Sequence, residues 1–280
     1  MSGSKIRNIA IVSLVLINML FLAVIILDAA DDAGARRESV ENLSAIFKAN
    51  GITINPGAIR EADALRAMRT LRDIQTEETI AQVFLGETVK IDQGVIHTYE
   101  NPLRGIAFFY SAGDFSIQLF DGIISSSPDE ALGMAEYLLS NMGIETTALT
   151  VFSDSGNETE IVTATAAYRE VSVFNGIIEF VFVRDNLHEV RGRYVAGFEP
   201  MEDGAAISYA ATALLGFLSA VIDEDRYYVT CTEITYVEAG FRHRIVGLLG
   251  EGVVEPAWLL TTDNGRFMID DITGEIWVLG

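Results

Sequence analysis

IAIVSLVLINMLFLAVIIL is the sequence of residues 9–27, in which only Ser13 and Asn18 are strongly polar and no residue is charged. A helix of this length covers roughly 28 Å at about 1.5 Å per residue, close to the thickness of the hydrocarbon core of a bilayer. It also keeps every backbone hydrogen bond internal, as a segment in lipid must. The stretch therefore predicts a transmembrane helix over Ile9–Leu27 that acts as a signal anchor.

The charges on either side of this span predict its orientation. Lys5 and Arg7 stand just before the span, and acidic residues beginning with Asp28 follow it. Because basic flanks tend to stay in the cytoplasm, residues 1–8 are expected to form a cytoplasmic tail. The expected location is the cell membrane, with one span and an extracytoplasmic ectodomain.

A cleaved signal peptide is the alternative for this segment. Ala33-Gly34-Ala35 provides small residues at the spacing that a signal peptidase recognises. However, the apolar run is longer than the roughly 7 to 15 residues of a secretory segment, and acidic residues separate it from the cleavage site. An uncleaved anchor fits these features better.

The composition limits the classes of partner. The chain has 40 acidic and 19 basic residues, a net charge of −21, and all of its acidic residues lie after the anchor. Such a surface repels phosphate backbones and anionic lipids, so we expect no nucleic-acid partner. Cys231 is the only cysteine in the sequence, which excludes an intramolecular disulfide.

Residues 28–155 are predicted to form a membrane-proximal module. Its expected helices are Ser39–Asn50, Thr76–Leu85 and one that starts with Pro128-Asp129-Glu130 behind Ser127 and ends before Gly143. Thr76 is the expected cap of the second helix, with Glu77 in the first turn, where the helix dipole favours negative charge. Leu65–Asp73 fits a helix or an edge strand, and the strand is preferred. The other predicted strands are Val89–Ile91, Val95–Tyr99, Ile106–Tyr110, Phe115–Phe120 and Thr147–Phe152.

Residues 156–280 are predicted to form a second module that repeats this order of elements. The boundary is placed at Asp154-Ser155-Gly156-Asn157. Acidic residues flank the apolar helix Ala205–Ile222 on both sides, which favours a buried helix over a second span. The fold class is therefore α+β, with two antiparallel sheet-plus-helix modules after the anchor. The predicted strands are Glu160–Tyr168, Ile177–Val183, Glu189–Val195, Tyr227–Val237, Phe241–Leu248, Ala257–Thr262 and Arg266–Ile269.

One face of the C-terminal sheet is predicted to be buried. Side chains alternate between the two faces of a strand, so every second residue faces the core. The residues expected on this face are Trp258, Phe267, Ile269 and Ile276.

The chain contains no spacing that is typical of a catalytic or metal-binding motif. We therefore predict that it is not an enzyme and has no catalytic, cofactor-binding or metal-binding residues. His97, His188 and His243 lie on separate predicted strands and are interpreted as surface or packing residues. Asp263-Asn264-Gly265 and Asp270-Asp271 could offer oxygens to calcium, but Asn-Gly between strands is more typical of a hairpin turn.

Three parts of the sequence resemble one family. They are the basic tail Ser4-Lys5-Ile6-Arg7 before a span with a central asparagine, the helix ending Asn50-Gly51-Ile52, and the C-terminal phrases Glu255-Pro256-Ala257-Trp258, Asn264-Gly265-Arg266-Phe267 and Asp271-Ile272-Thr273-Gly274-Glu275-Ile276. On these residues the chain resembles the YycH/YycI family, YycI most, with a PepSY-like C-terminal module. The resemblance implies α+β ectodomain modules, no catalysis, and regulation of the WalK sensor histidine kinase through contact with the kinase and a sister regulator.

Asn18 is the residue on which a contact inside the membrane would depend. An amide in hydrocarbon keeps unpaired donors and an acceptor, so it seeks a partner on another helix. We expect that partner to belong to the kinase or the sister regulator; a hydrogen bond back to the backbone of its own helix is the alternative. The sequence also leaves open an ectodomain that binds a small ligand or cell-wall component, and a cell-wall hydrolase that uses a carboxylate pair.

Overall fold

The computed structural model of the protein describes residues 41–60, 65–111, 113–125, 130–154, 158–222, 230–247 and 250–279. The chain separates into two compact units, Met1–Gly57 and Ala58–Gly280. The predicted anchor Ile9–Leu27, including Asn18, lies outside the described residues. No helix among the described residues is long and apolar enough to cross a membrane.

The first unit contains a helix at residues 41–49, α1, and the short strand β1 (Thr53–Ile54). The helix agrees with the prediction for Ser39–Asn50, and Gly51 follows it with a φ of +79°, the left-handed conformation that ends many helices. Ser44 Oγ donates to the carbonyl oxygen of Ile54 at 3.2 Å, which ties β1 to the helix.

The second unit repeats one arrangement, a helix followed by four strands that pair in sequence as antiparallel neighbours. The strand β2 (Met68–Thr70) precedes the first copy. Repeat 1 consists of α2 (Ile74–Leu85), β3 (Val89–Asp92), β4 (Ile96–Asn101), β5 (Gly105–Tyr110) and β6 (Asp114–Leu119). Repeat 2 consists of α3 (Ala131–Met142), β7 (Thr146–Asp154), β8 (Thr159–Tyr168), β9 (Val171–Val183) and β10 (Asn186–Arg193). After β11 (Glu199–Pro200), repeat 3 consists of α4 (Ala210–Ile222), β12 (Glu233–Ile245), β13 (Gly252–Thr262), β14 (Gly265–Asp270) and β15 (Ile276–Leu279).

The three repeats share one sheet. Its main path runs β11-β2-β13-β12-β9-β10-β6-β5-β4-β3, and the branches are β7 and β8 beyond β9 and β14 and β15 beyond β13. Repeats 1 and 2 join where β6 and β10 pair antiparallel, with Ile117 opposite Val190. Repeats 2 and 3 join where β9 and β12 run parallel, at Val173 and Phe241. The sheet is therefore mixed, although each repeat is antiparallel internally.

The main core lies between the helices α2 and α3 and one face of repeats 1 and 2. Ala107 and Phe109 of β5 are fully buried on this face, whereas Ile106 and Phe108 are partly exposed on the other. This alternation is the period of two that an antiparallel sheet covered on one side produces. The core also includes the buried side chains of Phe84, Phe115, Leu138, Phe180 and Phe182.

The predicted buried face of the C-terminal sheet is confirmed. Trp258 stands opposite Ile269, and Ile269 stands opposite Ile276, so the three share a face with Phe267. The ring of Phe267 lies 5.3 Å from that of Phe217, which places α4 against this face. Trp258 is only 1% exposed.

Two predicted helix starts are wrong. The helix predicted from Thr76 starts at Ile74, because Asp73 is the N-cap: its Oδ1 accepts from the backbone N–H of Gln75 at 3.0 Å. Thr76 instead donates its hydroxyl to Asp73 Oδ2 at 2.7 Å. The helix predicted from Ala205 starts at Ala210.

The predicted strands Tyr227–Val237 and Phe241–Leu248 are, in the part that the structure describes, one continuous strand, β12. The two predicted strands left residues 238–240 unassigned. Gly240 lies within β12 and permits close approach of strands, because a Cβ there would lie 2.5 Å from Cζ of Phe174 on the adjacent strand β9.

The α+β class is confirmed, and the repeating unit differs from the predicted modules. The boundary predicted at residues 155 and 156 falls between β7 and β8, which pair as a hairpin inside repeat 2. The structure therefore shows three copies of a helix and four strands where the sequence predicts two modules.

Candidate functional site

Four polar side chains meet beside the start of α2: Arg72, Glu77, His97 and Tyr194, here called the Glu77 cluster. Glu77 lies in the first turn of α2 and is fully buried. Its Oε1 accepts from Arg72 Nε at 2.6 Å and from the Tyr194 hydroxyl at 2.8 Å. Its Oε2 lies 2.6 Å from His97 Nδ1 and 3.3 Å from Arg72 Nη2. The carboxylate is thus in contact with four polar atoms from three side chains.

The Arg72 guanidinium is as fully bonded as the carboxylate. Arg72 precedes α2, and it donates to the carbonyl oxygens of Phe109 at 3.1 Å and of Val95 at 3.2 Å as well as to Glu77. A buried ion pair is tolerated only when further hydrogen bonds satisfy its remaining atoms, and that condition is met here. The cluster therefore fixes the start of α2 against β4, β5 and the end of β10.

Tyr194 acts as a hydrogen-bond donor in this cluster. Burial, followed by the negative charge of Glu77, raises the pKa of Tyr194 well above its ordinary value, so the phenol keeps its proton. The cluster approaches the surface at His97, whose Nε2 lies 3.6 Å from Oδ1 of the exposed Asp92. The cavity beside Arg72 and Tyr194 measures about 10 Å³, which is too small for a substrate.

His243 lies on the far side of this cavity, on β12. Its Nε2 is 3.0 Å from Thr70 Oγ1, and its Nδ1 is buried without a hydrogen-bond partner among the described residues. Burial lowers the pKa of His243 to about 4, and the charge of Arg193 acts in the same direction. Asn175 holds the backbone of His243 through two hydrogen bonds of 2.8 Å. The ring is therefore a neutral packing group near neutral pH.

The other residues considered from the sequence lie apart from the Glu77 cluster. His188 is exposed, with Nε2 3.1 Å from Asp121 Oδ1. Cys231 is half-buried, and burial raises the pKa of its thiol to about 11, which makes it a weak nucleophile. Asn18 lies outside the described residues.

Asp263-Asn264-Gly265 forms the hairpin turn between β13 and β14, with Thr262 opposite Gly265, so the interpretation as a turn is confirmed. Asp263 accepts from the Thr232 hydroxyl at 2.6 Å, and this bond is the main cause of a lowered pKa for the Asp263 carboxyl. The turn thereby ties down the segment that leads into β12.

Asp270 and Asp271 are occupied by bonds within the fold. Asp270 Oδ1 accepts from the backbone N–H groups of Ile272 and Thr273 at 2.9 and 2.8 Å. Asp271 Oδ1 accepts from Trp258 Nε1 at 3.2 Å. In the part of the chain that the structure describes, no group of three or more His, Cys, Asp or Glu side chains could hold a metal ion.

A shallow apolar cavity of about 280 Å³ lies where repeats 2 and 3 meet β2; we call it the arginine-rimmed groove. Phe241 and Ala67 are buried at its floor, and Arg66 and Arg169 are exposed at its rim. Arg169 stands in the tight β8–β9 turn, which has positive φ at both central residues, and its guanidinium lies 5.2 Å from the Tyr168 ring centre. The remaining lining residues are Leu65, Met68, Val171, Pro200 and Met201.

The rim of this groove carries two positive charges. Neither Arg66 nor Arg169 forms a side-chain ion pair with a carboxylate of the described residues, although the chain has a net charge of −21. Two exposed guanidinium groups without an ion pair, beside an apolar floor, match a ligand with an anionic head and an apolar body.

Sequence reasoning did not find the Glu77 cluster because its members are distant in the chain; Glu77 and Tyr194 are 117 positions apart. One local signal was present. Glu77 stands three and seven positions before Ile80 and Phe84, on the apolar side of α2, where a carboxylate needs a buried partner.

Comparison with known proteins leaves the function open. No family model and no curated protein matches the chain. Among solved structures, the chain is similar to the crystal structure of an uncharacterized protein from Eubacterium rectale, with 12% identity and a TM-score of 0.49. The match covers 82% of this chain and 90% of the other. Such a distant likeness carries no functional argument.

Proposed function

We propose that this protein is a membrane-anchored extracytoplasmic regulator of a two-component sensor histidine kinase, and that it acts by contact without chemistry of its own. The observation that carries the proposal is the Glu77 cluster, the best-formed arrangement of acid, base and phenol in the described residues. Apart from His97 Nε2, which lies 3.6 Å from Asp92 Oδ1, its polar side-chain atoms are hydrogen-bonded inside the fold. The proposal therefore assigns the function to contacts of the protein surface and not to chemistry at this cluster.

The anchor supplies the second part of the proposal. The apolar stretch Ile9–Leu27 would hold the ectodomain at the membrane, and its resemblance to the YycH/YycI start supports a kinase and a sister regulator as partners. Asn18 would contact a transmembrane helix of a partner, for a gain of about 0.6 to 2 kcal/mol. An event at the ectodomain could then bias the kinase through the bilayer.

The test is a membrane two-hybrid assay between the full chain and the sensor kinase encoded nearest to its gene. Asn18→Leu should stay inserted and associate more weakly, and Asn18→Gln should restore part of the association. Ser13→Leu, which replaces the other strongly polar residue of the span, is the matched control and should associate like the parent. Failure of the parent to associate with the kinase would overturn the proposal. If Asn18→Leu associates as well as the parent, the contact is made by the ectodomain and the anchor serves as a tether.

Binding of a small ligand is the second candidate, favoured by the arginine-rimmed groove. Octanoate is a suitable probe, because it carries one carboxylate on an apolar chain, and octanol is its uncharged control. In saturation-transfer NMR on the full chain in amphipol, Arg66→Ala with Arg169→Ala should weaken octanoate binding about tenfold, or about 1.4 kcal/mol, and leave octanol unchanged. Arg184→Ala, at an exposed arginine paired with Glu158, is the control. Equal binding by all variants would exclude this groove.

A further inference from the structure

The strand β7 is a long edge of the sheet. Along one side it pairs with β8 from Thr146 opposite Ala166 to Asp154 opposite Thr159. Along its other side, no strand of the described residues pairs with it. Such an edge presents a row of backbone donors and acceptors that can pair with another strand.

The composition of β7 favours pairing. Residues 146–153 contain no charged side chain, in a chain of which 21% of the residues are charged. Phe152 is 65% exposed and Val151 is 43% exposed, so the edge also offers apolar surface. Its residues are mainly β-branched or aromatic, the types that stabilise cross-strand pairs.

The strand β3, at the far end of the row β7-β8-β9-β10-β6-β5-β4-β3, is protected against pairing. The strand β3 there has only four residues, and two of them, Lys90 and Asp92, are charged. Short length and charge are the usual means by which proteins prevent edge-to-edge association. Only one of these two edges is therefore suited to receive another strand.

We propose that β7 pairs with the β7 of a second copy of this chain, antiparallel and about a twofold axis. A twofold contact uses the same patch on both copies, so the patch must be self-complementary. With the axis at Thr150, Asp154 lies opposite Thr146 of the second copy. With the axis at Val151, it lies opposite Ala148. In neither register do two like charges face each other. For two molecules that each carry a charge of −21, an uncharged strand is the surface that permits close approach. This inference does not depend on the kinase.

Disulfide crosslinking of the full chain in lipid nanodiscs tests the register. Directly opposite residues of antiparallel strands have Cα atoms about 4.5 to 5.5 Å apart, within the range that a disulfide spans, whereas diagonal neighbours lie about 7 to 8 Å apart. A single cysteine can therefore bond to its own copy only at the axis. In a Cys231→Ser background, Thr150→Cys or Val151→Cys should give the highest yield of dimer, at least tenfold above Ala148→Cys and above Lys90→Cys on β3.

The oligomeric mass is the second readout. The parent should have twice the mass of one chain by light scattering, and Val151→Lys, which introduces charge at the edge, should be monomeric. Thr150→Lys serves as a second variant if Val151→Lys fails to fold, as judged by circular dichroism. A monomeric parent would overturn the inference and leave the edge to a strand of another protein. A Lys variant that folds and stays dimeric, or equal crosslinking at all four positions, would also overturn it.

Discussion

Glu77 shows how strongly the interior of this protein depends on one carboxylate. Glu77→Ala would leave the Arg72 guanidinium, whose side chain is 9% exposed, without its ion-pair partner. Removal of one member of a buried ion pair typically costs about 3 to 5 kcal/mol. We expect a loss of that size in the free energy of unfolding, measured by urea denaturation.

Glu78→Ala is the matched control, one position further along the same helix. The Glu78 side chain is 52% exposed and pairs with Lys90 at 3.3 Å, and exposed pairs contribute about 0 to 1 kcal/mol. If Glu77→Ala and Glu78→Ala lower the free energy of unfolding by the same amount, the Glu77 cluster does not stabilise the fold.

His243 should make the stability of the protein depend on pH. Its pKa is about 4 in the folded chain and about 6.5 in an unfolded one, so between these values only the unfolded state binds the proton. The free energy of unfolding should therefore fall as the pH drops from 6.5 towards 4, by an amount of the order of 3 kcal/mol. Urea unfolding of the parent and of His243→Gln at pH 7 and pH 4.5 measures this contribution.

The parent is the comparison, because the two proteins differ only in the buried imidazole. His243→Gln should have a weaker pH dependence of stability than the parent. Equal pH dependence in the two proteins would show that His243 is accessible to protons in the folded state.

The sequence predicts single residues well where the cause is local. Gly143 was expected to end a helix, and it follows α3 in the left-handed conformation with a φ of +70°. Trp258 was expected to be buried because of strand alternation, and it is. Arg72 and Tyr194 were not identified, because a side chain's partner is set by strands that meet only after folding.

At the scale of elements, Gly240 controls the contact between repeats 2 and 3. A methyl group at this position would lie 2.5 Å from Phe174 Cζ and 2.6 Å from the carbonyl oxygen of Ser172. Gly240→Ala should therefore force β12 away from β9 and destabilise the protein by about 1 to 3 kcal/mol. The midpoint of urea unfolding measures the change.

Gly216→Ala makes the same chemical change with the opposite expected sign. Gly216 lies in the interior of α4, is exposed, and has no atom within 4 Å of an added Cβ. Alanine should stabilise the helix there by up to about 1 kcal/mol. Destabilisation by both substitutions would mean that the effect at Gly240 is not specific to the contact with Phe174.

Elements were predictable where periodicity and turn residues agree. The sequence predicts the strand Glu160–Tyr168, and β8 occupies Thr159–Tyr168. It also predicts the strand Ile106–Tyr110, and β5 occupies Gly105–Tyr110. The strand prediction fails at β12, because the sequence alone does not distinguish a glycine that allows close packing from a glycine that interrupts a strand.

At the scale of the whole molecule, the repeat was recognisable but its boundaries were not. Asp154-Ser155-Gly156-Asn157 has the composition of a linker, yet the strands before and after it, β7 and β8, pair with each other. Composition alone does not distinguish a linker between domains from a connection within one sheet. The arrangement is decided by long-range pairing, such as that of Ile117 with Val190, which joins repeat 1 to repeat 2.

The topology of the full chain gives the prediction at this scale. With one span at Ile9–Leu27, a reporter that is active only outside the cytoplasm should work when fused after Gly280. The described helix α4 has 13 residues, about 20 Å of helix, which falls short of a bilayer core. N-terminal sequencing of the mature protein provides the complementary measurement. A cytoplasmic C-terminus would refute the single span, and a mature chain beginning near Asp31 or Arg36 would refute the uncleaved anchor.

The position of β2 has a consequence for how the protein is made. Met68–Thr70 pairs with Gly252–Val254, so a strand synthesised early waits for a partner near the end of the chain. At about 5 to 20 residues per second, the interval is roughly 10 to 40 seconds. Repeats 1 and 2 consist largely of hairpins that can form during that time, because each strand pairs with the next. Biogenesis should therefore pass through a stage in which two repeats are folded and β2, whose one earlier partner among the described strands is the two-residue β11, remains available to proteases and chaperones until repeat 3 emerges.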